Sequence, residues 1–412
     1  MGVMGVKKSF ELIIKTIGYY SQYVIKFVPR NKHKWAYGCL GGFRDNPKFF
    51  FYWTNENHPE IRAIWFAQSK SERNLIRSQG MESYMRYSIK GLYHALTAKV
   101  YVTSHTVGDI NNYFSAGAFY LNLWHGSSVK RVRWQAPEYF CRKFKLKSKE
   151  EMRTNFRFKI DAFCLMFRKP DLCLTPSTIQ KKDFFAEMLD IPEDHCIVGV
   201  FPRSRLLIGG KEAAMQFIKK YEPQETLDFL NKIEQYEKRY VYMPTWRNDG
   251  TDFVTKAKFD WDKLNSVLVK NNSIFILKLH PSTKLDLSFL STYSNIYNYP
   301  STTDIYTVLP FIDCLITDYS SIYTDFLTMN KEVILFVYDF EEYMKGSFKL
   351  SEYDKYYVGR RAYDFDQLVQ IINNKEDCHI SHDKYSELMN FFWDNNRHNI
   401  DIVEEVKKRI QL

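Results

Sequence analysis

From residue 35 onward the chain alternates short apolar runs with longer stretches of helical period, and the runs end in clusters of polar or charged residues. Residues 62–67, 99–103, 119–124 and 171–175 form a first series of strands, with helical stretches such as 85–97 and 177–190 between or after them. Residues 196–200, 240–243, 275–279, 314–317 and 333–337 form a second, with helices expected near 224–238, 260–270 and 321–328. Strands alternating with helices imply parallel sheets covered on both faces. Two such series in tandem predict an α/β chain of two doubly wound, Rossmann-like domains facing a central cleft. A length of 412 residues fits two domains better than one core.

In open parallel sheets ligands bind beyond the carboxyl ends of the strands, so the clusters there carry the functional signal. The run 121–124 ends in His125-Gly126-Ser127-Ser128-Val129-Lys130, and 242–243 ends in Pro244-Thr245-Trp246-Arg247. The run 276–277 ends in Lys278-Leu279-His280-Pro281, and 315–316 ends in Thr317-Asp318-Tyr319-Ser320-Ser321, with Asp325 one helical turn on. Singly, each has a plain structural reading: a hydroxyl pair that opens a helix is first of all an N-cap, and Trp246 is core packing as readily as a stacking surface. A helix start is also an anion site, and four clusters at four strand ends point to one shared site for a charged ligand. The chain has no G-x-x-x-x-G-K-[ST], no G-x-G-x-x-G and no G-x-S-x-G, which argues against a P-loop NTPase, the usual dinucleotide fold and an α/β-hydrolase. Asp364-Phe365-Asp366 spells a D-x-D but stands apart from the clusters, so no metal is expected.

The net charge of +10 is unevenly spread. Residues 1–34 hold +6 and residues 130–169 hold +9, leaving the remaining body at −5. That distribution excludes a general nucleic-acid coat, and no nucleic-acid partner is expected. Residues 10–28 are aromatic and Lys-flanked but interrupted by Glu11, Lys15 and Lys26, so they read as an interfacial helix rather than a membrane span. Phe140, Phe144, Leu146, Phe156 and Phe158 interleave with the charges of the second basic segment, a pattern suited to a headgroup layer. The seven cysteines are scattered and odd in number, with no C-x-x-C, which suggests a reducing interior and neither zinc nor disulfides.

Taken in order, Trp124-His125-Gly126-Ser127-Ser128-Val129-Lys130, Pro202-Arg203, Pro244-Thr245-Trp246-Arg247, Lys278-Leu279-His280-Pro281 and Ile316-Thr317-Asp318-Tyr319-Ser320-Ser321 resemble the CDP-glycerol glycerophosphotransferase family of teichoic acid and capsule synthesis. The match covers about residues 116–343 and is weak before them. The resemblance implies a GT-B fold and transfer of glycerol phosphate from CDP-glycerol to an acceptor hydroxyl, with release of CMP and no cofactor. It places His125 on the family's catalytic histidine and Gly126, Ser127, Ser128 and Val129 along the donor. Arg203, Thr245, Trp246, Lys278, His280, Ser320, Ser321 and Asp325 fall on matching donor positions. Two residues depart from the family: Ser128 stands where proline is usual, and Arg205 where aspartate is usual.

On this reading His125 is the general base and His280 contacts the pyrophosphate or assists as acid. Arg203 and Arg247 clamp charge, Leu279 lies beside them, and Asp325 accepts from glycerol or ribose hydroxyls. The acceptor is expected to be a lipid-linked glycan or polyol phosphate at the anionic inner face of a bacterial membrane, with the enzyme cytoplasmic and peripheral. The expected plan is a basic amphipathic segment 1–34, an acceptor domain 35–200 with a membrane-facing insertion 130–169, a CDP-donor domain 201–375, and a C-terminal helix 376–412 packing back across the domains. CDP-ribitol or another polyol donor, and a nucleotide-sugar glycosyltransferase on the same fold, are the alternatives. No polymer-tracking extension is evident, so addition of one or a few units is expected.

Overall fold

A computed structural model of the chain describes residues 2–127, 129–247, 253–283, 285–345, 353–397 and 399–412. The first sheet has seven strands: β1 (Asn31–Tyr37), β2 (Arg62–Ala67), β3 (Glu82–Met85), β4 (Ala98–Thr103), β5 (Phe119–Asn122), β6 (Leu172–Thr175) and β7 (Cys196–Val198). Their order is β3-β2-β1-β4-β5-β6-β7 and every pairing is parallel. The second sheet has six: β8 (Lys238–Tyr242), β9 (Ser273–Lys278), β10 (Ile296–Tyr299), β11 (Cys314–Thr317), β12 (Glu332–Phe336) and β13 (Arg360–Ala362). Their order, β10-β9-β8-β11-β12-β13, is again wholly parallel. Both orders are the doubly wound Rossmann arrangement, whose direction reverses next to the first strand. The reversal lies between β1 and β4 in one sheet and between β8 and β11 in the other.

The chain divides into two compact units. The first comprises Met1–His125, Arg131–Pro202 and Arg397–Leu412; the second comprises Gly126–Lys130 and Arg203–Asn396. In the first, β2 and β4 are buried along nearly their whole length between helices, as parallel strands covered on both faces must be. In the second, β9 and β11 are buried at every position, and the core gathers Phe275, Leu277, Ile316 and Phe336 with Leu264 and Leu368 from flanking helices.

Four features differ from the sequence expectation. The boundary at residue 34 cuts through β1, whose first half, Asn31-Lys32-His33-Lys34, is too charged to read as a strand. Lys34 is nonetheless buried, because its ammonium donates to Thr97 Oγ1 at 2.8 Å and lies over the Tyr93 ring at 4.9 Å. Cys196–Val198, expected to open the second series, instead pairs with β6 and closes the first sheet. The single helix expected over 376–412 is two, His382–Trp393 and Ile402–Ile410. Asp394, Asn395 and Asn396 between them all have positive φ, and such residues stop a helix.

The fourth concerns the basic insertion. Its helices Pro137–Phe144, Lys149–Thr154 and Phe156–Asp161 turn their apolar residues toward one another. Phe140 and Phe158 are buried with Trp134, Met152 and Met166, and Phe144 and Leu146 pack against them. Of the five apolar residues expected to face a headgroup layer, Phe156 alone is a large exposed hydrophobic. A run of exposed apolar residues lies on the N-terminal helix Gly2–Ile25 and the turn after it: Ile13, Ile17, Tyr20, Val24 and Phe27 are each more than half exposed. Among the described residues no helix is long and apolar enough to cross a membrane.

Candidate active site

In the first unit the site is built where β5 ends. Asn122, the last residue of β5, accepts the Trp124 amide on its side-chain oxygen at 2.8 Å. Trp124 has φ +53, a conformation costly for a bulky residue and typical of functional turns. The buried Asn46 holds this turn by donating to the carbonyls of Leu123 (3.2 Å) and Trp124 (2.9 Å). His125 follows, its ring stacked on Trp124 at 4.5 Å and on His105 at 4.4 Å. His125 Nδ1 lies 3.0 Å from the Ser104 carbonyl oxygen. A carbonyl only accepts, so Nδ1 carries the proton and the neutral ring has its lone pair on Nε2. That is the tautomer a general base needs.

His105 is a further histidine beside this turn. It stands two residues after β4, at the reversal point of the sheet, so the strand-end rule that selected His125 also applies to it. Burial pulls its pKa down, but the bond and charge of Asp109, with Asp45, outweigh that and raise it overall. Asp109 also accepts the amides of Ser104 and His105 at 3.3 and 3.0 Å. Arg133 donates to the His105 carbonyl at 2.8 Å and lies over Trp124 at 4.8 Å. Cys39, Asp45 and His105 lie close enough for one cation to join them. The Cys39 thiol, however, meets Ser104 Oγ at 3.3 Å with its pKa raised by burial, and Asp45 accepts the Asn46 amide at 2.7 Å. The protein's own bonding accounts for this cluster.

In the second unit the loops after β8 and β11 flank the reversal point. Gly126, with φ +141, passes so close that a Cβ there would lie 3.1 Å from Ser321 Oγ and 3.3 Å from Arg203 Nη2. Gly126, Arg203 and Ser321 are therefore brought together. The Ser127 hydroxyl beside them is buried and has no hydrogen-bond partner among the described residues, a state that costs about 1–3 kcal/mol unless a ligand satisfies it. Ser321 makes no side-chain cap bond to its own helix, Ile322–Leu327. A Gly126→Ala substitution forces a β-carbon against Ser321 at a φ that L-residues avoid. It is expected to weaken binding of the CDP-glycerol that the family resemblance implies roughly tenfold or more while leaving the melting temperature within a few degrees. Calorimetric titration and thermal unfolding measure the two separately.

Other expected donor contacts turn out to be committed within the protein. Asp325 is fully buried and accepts from Arg203 (2.6 Å), Ser204 (2.8 Å) and Tyr306 (2.8 Å), which holds Arg203 in place. Arg247 donates through Nε and Nη2 to Asp339 (2.9 and 3.0 Å), through Nη2 to Asp318 (3.0 Å) and through Nη1 to the Thr245 carbonyl (2.6 Å). Four of its five N–H groups are thereby spent. Burial opposes its charge, yet the two carboxylates raise its pKa further. Thr245 gives both its amide and its hydroxyl to Asp318 Oδ1, at 2.8 and 2.6 Å. Lys278 is buried on the carbonyls of Pro300 and Thr303 (2.7 and 2.8 Å), and Leu279 lies in the core. Val129 is buried, and Ser128 lies outside the described residues. These positions hold the site's walls. The D-x-D is structural too: Asp364 caps the helix Phe365–Asn373, and Asp366 pairs with Lys263 at 2.6 Å.

Gly126, Ser127, Arg203, Trp246, His280, Ser320 and Ser321 remain as candidate ligand contacts in this unit. Trp246 is 40% exposed and stacks on His280 at 5.8 Å. His280 Nδ1 accepts the Ser282 amide at 3.1 Å, so its neutral ring carries the proton on Nε2, opposite to His125. Lys130 was not singled out from sequence. Its ammonium donates to Tyr343 OH at 3.0 Å, and burial pushes its pKa down to about 8. Asp339, Ser204 and Tyr306 carry no signal in sequence, since their partners are distant in the chain, and Asp318 stands in a strand-end cluster without a role of its own there.

Two Rossmann-type sheets, with a histidine at one strand end and a Gly–Arg–Ser cluster at another reversal point, make an α/β fold of the GT-B type. Residues 22–404 match the family CDP-Glycerol:Poly(glycerophosphate) glycerophosphotransferase, and the chain belongs to it. It is 23% identical over 325 residues to a teichoic acid poly(glycerol phosphate) polymerase of Staphylococcus epidermidis, covering 76% of this chain and 41% of that one. It is 24% identical over 330 residues to the polymerase of the same name from Bacillus spizizenii, covering 78% and 77%. The chain thus spans less than half the length of the first of these relatives. Among solved structures, the wall teichoic acid polymerase TagF superposes with a TM-score of 0.68 at 19% identity over 100% of this chain and 98% of that one. A histidine variant of TagF soaked with CDPG gives 0.71 over 100% and 99%. These matches show the same fold.

Proposed function

We propose that the protein transfers glycerol phosphate from CDP-glycerol to the hydroxyl of a lipid-linked glycan or polyol-phosphate acceptor and releases CMP. The observation that carries this reading is the convergence of Gly126, Arg203 and Ser321 beside the orphaned Ser127 hydroxyl, in the residues that directly follow His125. Such a cluster suits a phosphate: one fixed guanidinium, a hydroxyl and a backbone with no Cβ in the way. In the proposed step the acceptor oxygen attacks the glycerol-linked phosphorus and its proton passes to His125 Nε2. The bond from that phosphorus to the CMP oxygen breaks in line, and the bonding electrons leave with CMP. His280, with Nε2–H as a donor, assists the departing phosphate, and Trp246 offers a face to the base. The protein's task is placement and charge stabilisation.

Residues 35–202 are assigned to the acceptor and 203–375 to the donor, following the placement of the histidine and the Gly–Arg–Ser cluster. We further propose that the protein works at the anionic inner face of a bacterial membrane. The +15 held in two segments and the exposed stripe on the N-terminal helix support this.

The test is incubation with a panel of CDP-polyols and UDP-sugars, following nucleotide release by mass. CMP from CDP-glycerol with a phosphoglycerol-extended acceptor is the expected result; UMP release from a UDP-sugar alone overturns it. CDP-ribitol belongs in the panel because a teichoic acid ribitol-phosphate polymerase of Staphylococcus aureus is 27% identical over 196 residues. Acceptor length after one enzyme equivalent of turnover separates the addition of a few units from polymerisation.

A further inference from the structure

The edge of the first sheet opposite His125 carries a pocket of about 530 Å³ lined by Lys26, Lys99 and Arg168, with Asp171, Tyr23 and Tyr113. Lys99 is the second residue of β4, Phe119 opens β5 and Asp171 immediately precedes β6, so the pocket lies at the amino ends of these strands, and His125 follows the carboxyl end of β5. Phe119, at its rim, is six positions before His125 in sequence, most of them along β5, a reach of up to roughly 20 Å at ~3.3 Å per residue. This is a place apart from the site above.

Its walls are fixed. A Cβ on Gly18 would fall 2.1 Å from the Tyr113 ring, so only glycine lets the N-terminal helix seat against that residue. Gly117, with φ +81, lies where a Cβ would come within 2.8 Å of the Lys26 carbonyl. Arg30 donates to the carbonyls of Ala95, Ala98, Phe114 and Ala116 at 3.2, 2.7, 2.5 and 2.6 Å, which pins the rim to the sheet.

The charges inside are unbalanced. Asp171, the carboxylate of the lining, already accepts the Tyr120 amide at 2.7 Å and Arg168 at 3.4 Å. The ammonium groups of Lys26 and Lys99 have no hydrogen-bond or ion-pair partner among the described residues; Lys26 lies over the Phe27 ring at 4.9 Å. Arg168 donates to the Ala118 carbonyl at 2.9 Å, while its buried Nε has no hydrogen-bond partner among the described residues. Beside this concave cationic site the same helix and its following turn present Ile13, Ile17, Tyr20, Val24 and Phe27, 52–76% exposed, at i, i+4, i+7, i+11 and i+14. Together these form a continuous apolar stripe on one helical face.

We propose that the pocket binds the phosphate headgroup of an anionic phospholipid, with Lys26 and Lys99 on the phosphate oxygens and the acyl chains along the helix stripe. This rests on the membrane reading above and gives it a specific lipid site. Charge-assisted bonds from two lysines suit a phosphodiester, and the apolar stripe suits a lipid.

The experiment titrates the full chain with monomeric dioctanoyl-phosphatidylglycerol, dioctanoyl-phosphatidylcholine and inorganic phosphate, beside flotation on phosphatidylcholine vesicles with and without phosphatidylglycerol. Saturable 1:1 binding of the glycerol lipid is expected, weakened roughly 10–30-fold in Lys26→Gln/Lys99→Gln, with CMP release on a soluble acceptor unchanged. A control pair in the basic insertion, Lys143→Gln/Arg157→Gln, is expected to leave that binding intact. Equal binding of both lipids, equal loss in the control pair, or full displacement by inorganic phosphate at comparable concentration overturns the proposal. Flotation on anionic vesicles without monomeric lipid binding overturns this site alone. Absence of flotation overturns the membrane reading beneath it.

Discussion

His125→Asn is expected to lower the rate of CMP release about 10²–10⁴-fold, the usual worth of a positioned general base, with CDP-glycerol affinity changed less than about threefold. Asparagine is the informative replacement because its amide nitrogen can take the place of Nδ1 and keep the bond to the Ser104 carbonyl, 3.0 Å away in the wild type. The turn at Trp124 is held by Asn122 and Asn46 and does not depend on the imidazole. What disappears is Nε2, the only ring atom able to take a proton once Nδ1 donates to a carbonyl. His105 stacks on His125 at 4.4 Å and 11°, and Asp109 promotes the cationic form of His105, which keeps the neighbouring ring neutral at rest. Single-turnover CMP release together with calorimetric binding of CDP-glycerol decides the matter. Turnover near the wild-type level would exclude His125 as the base, and a matching loss of affinity would make it a binding residue instead.

How far the sequence disclosed this arrangement follows from the range of the interactions concerned. Cys314-Leu-Ile-Thr317 and Ser273–Lys278 are buried at every position, and a run of apolar residues next to turn signals reports that directly. β1 opens with Asn31-Lys32-His33-Lys34, and β13 is Arg360-Arg361-Ala362; their pairing comes from the sheet around them, which no local window contains. The same division holds in the site. The strand-end rule found Thr245, Arg247 and Ser321 because position along a strand is a local property. It could not separate side chains facing a ligand from side chains facing one another. Arg247 pairs with Asp339 across 92 residues and Arg203 with Asp325 across 122. An arginine that clamps phosphate and one that neutralises buried carboxylates have the same appearance in sequence. The insertion makes a similar point: Phe140 and Phe158 interleave with lysines as a membrane-facing helix would, yet close a small core of their own.

The pair formed by Arg203 and Asp325 supplies the second large effect. Asp325→Ala is expected to destabilise the second unit by about 3–5 kcal/mol, because it leaves the Arg203 guanidinium buried without its counter-charge. Asp325 is 0% exposed and accepts three bonds, from Arg203, Ser204 and Tyr306, so its removal also strands two hydroxyls. Asp325→Asn should recover little, since an amide restores one acceptor but brings an N–H toward a group that only donates. The double variant Arg203→Met/Asp325→Leu removes both charges and refills the volume, and is expected to regain most of the stability. It should still fail to bind CDP-glycerol, because the guanidinium beside Gly126 is gone. Urea unfolding followed with a probe in the second unit gives the stability change, and calorimetric titration gives the affinity. A cost below about 1 kcal/mol for Asp325→Ala would mean that water reaches the pair and that the carboxylate does not hold Arg203 in place. Donor binding retained by the double variant would remove Arg203 from the phosphate site and leave Ser321 and the Gly126–Ser127 backbone to account for it. Stability and binding thus separate at one buried ion pair, and with them the two roles its arginine is assigned.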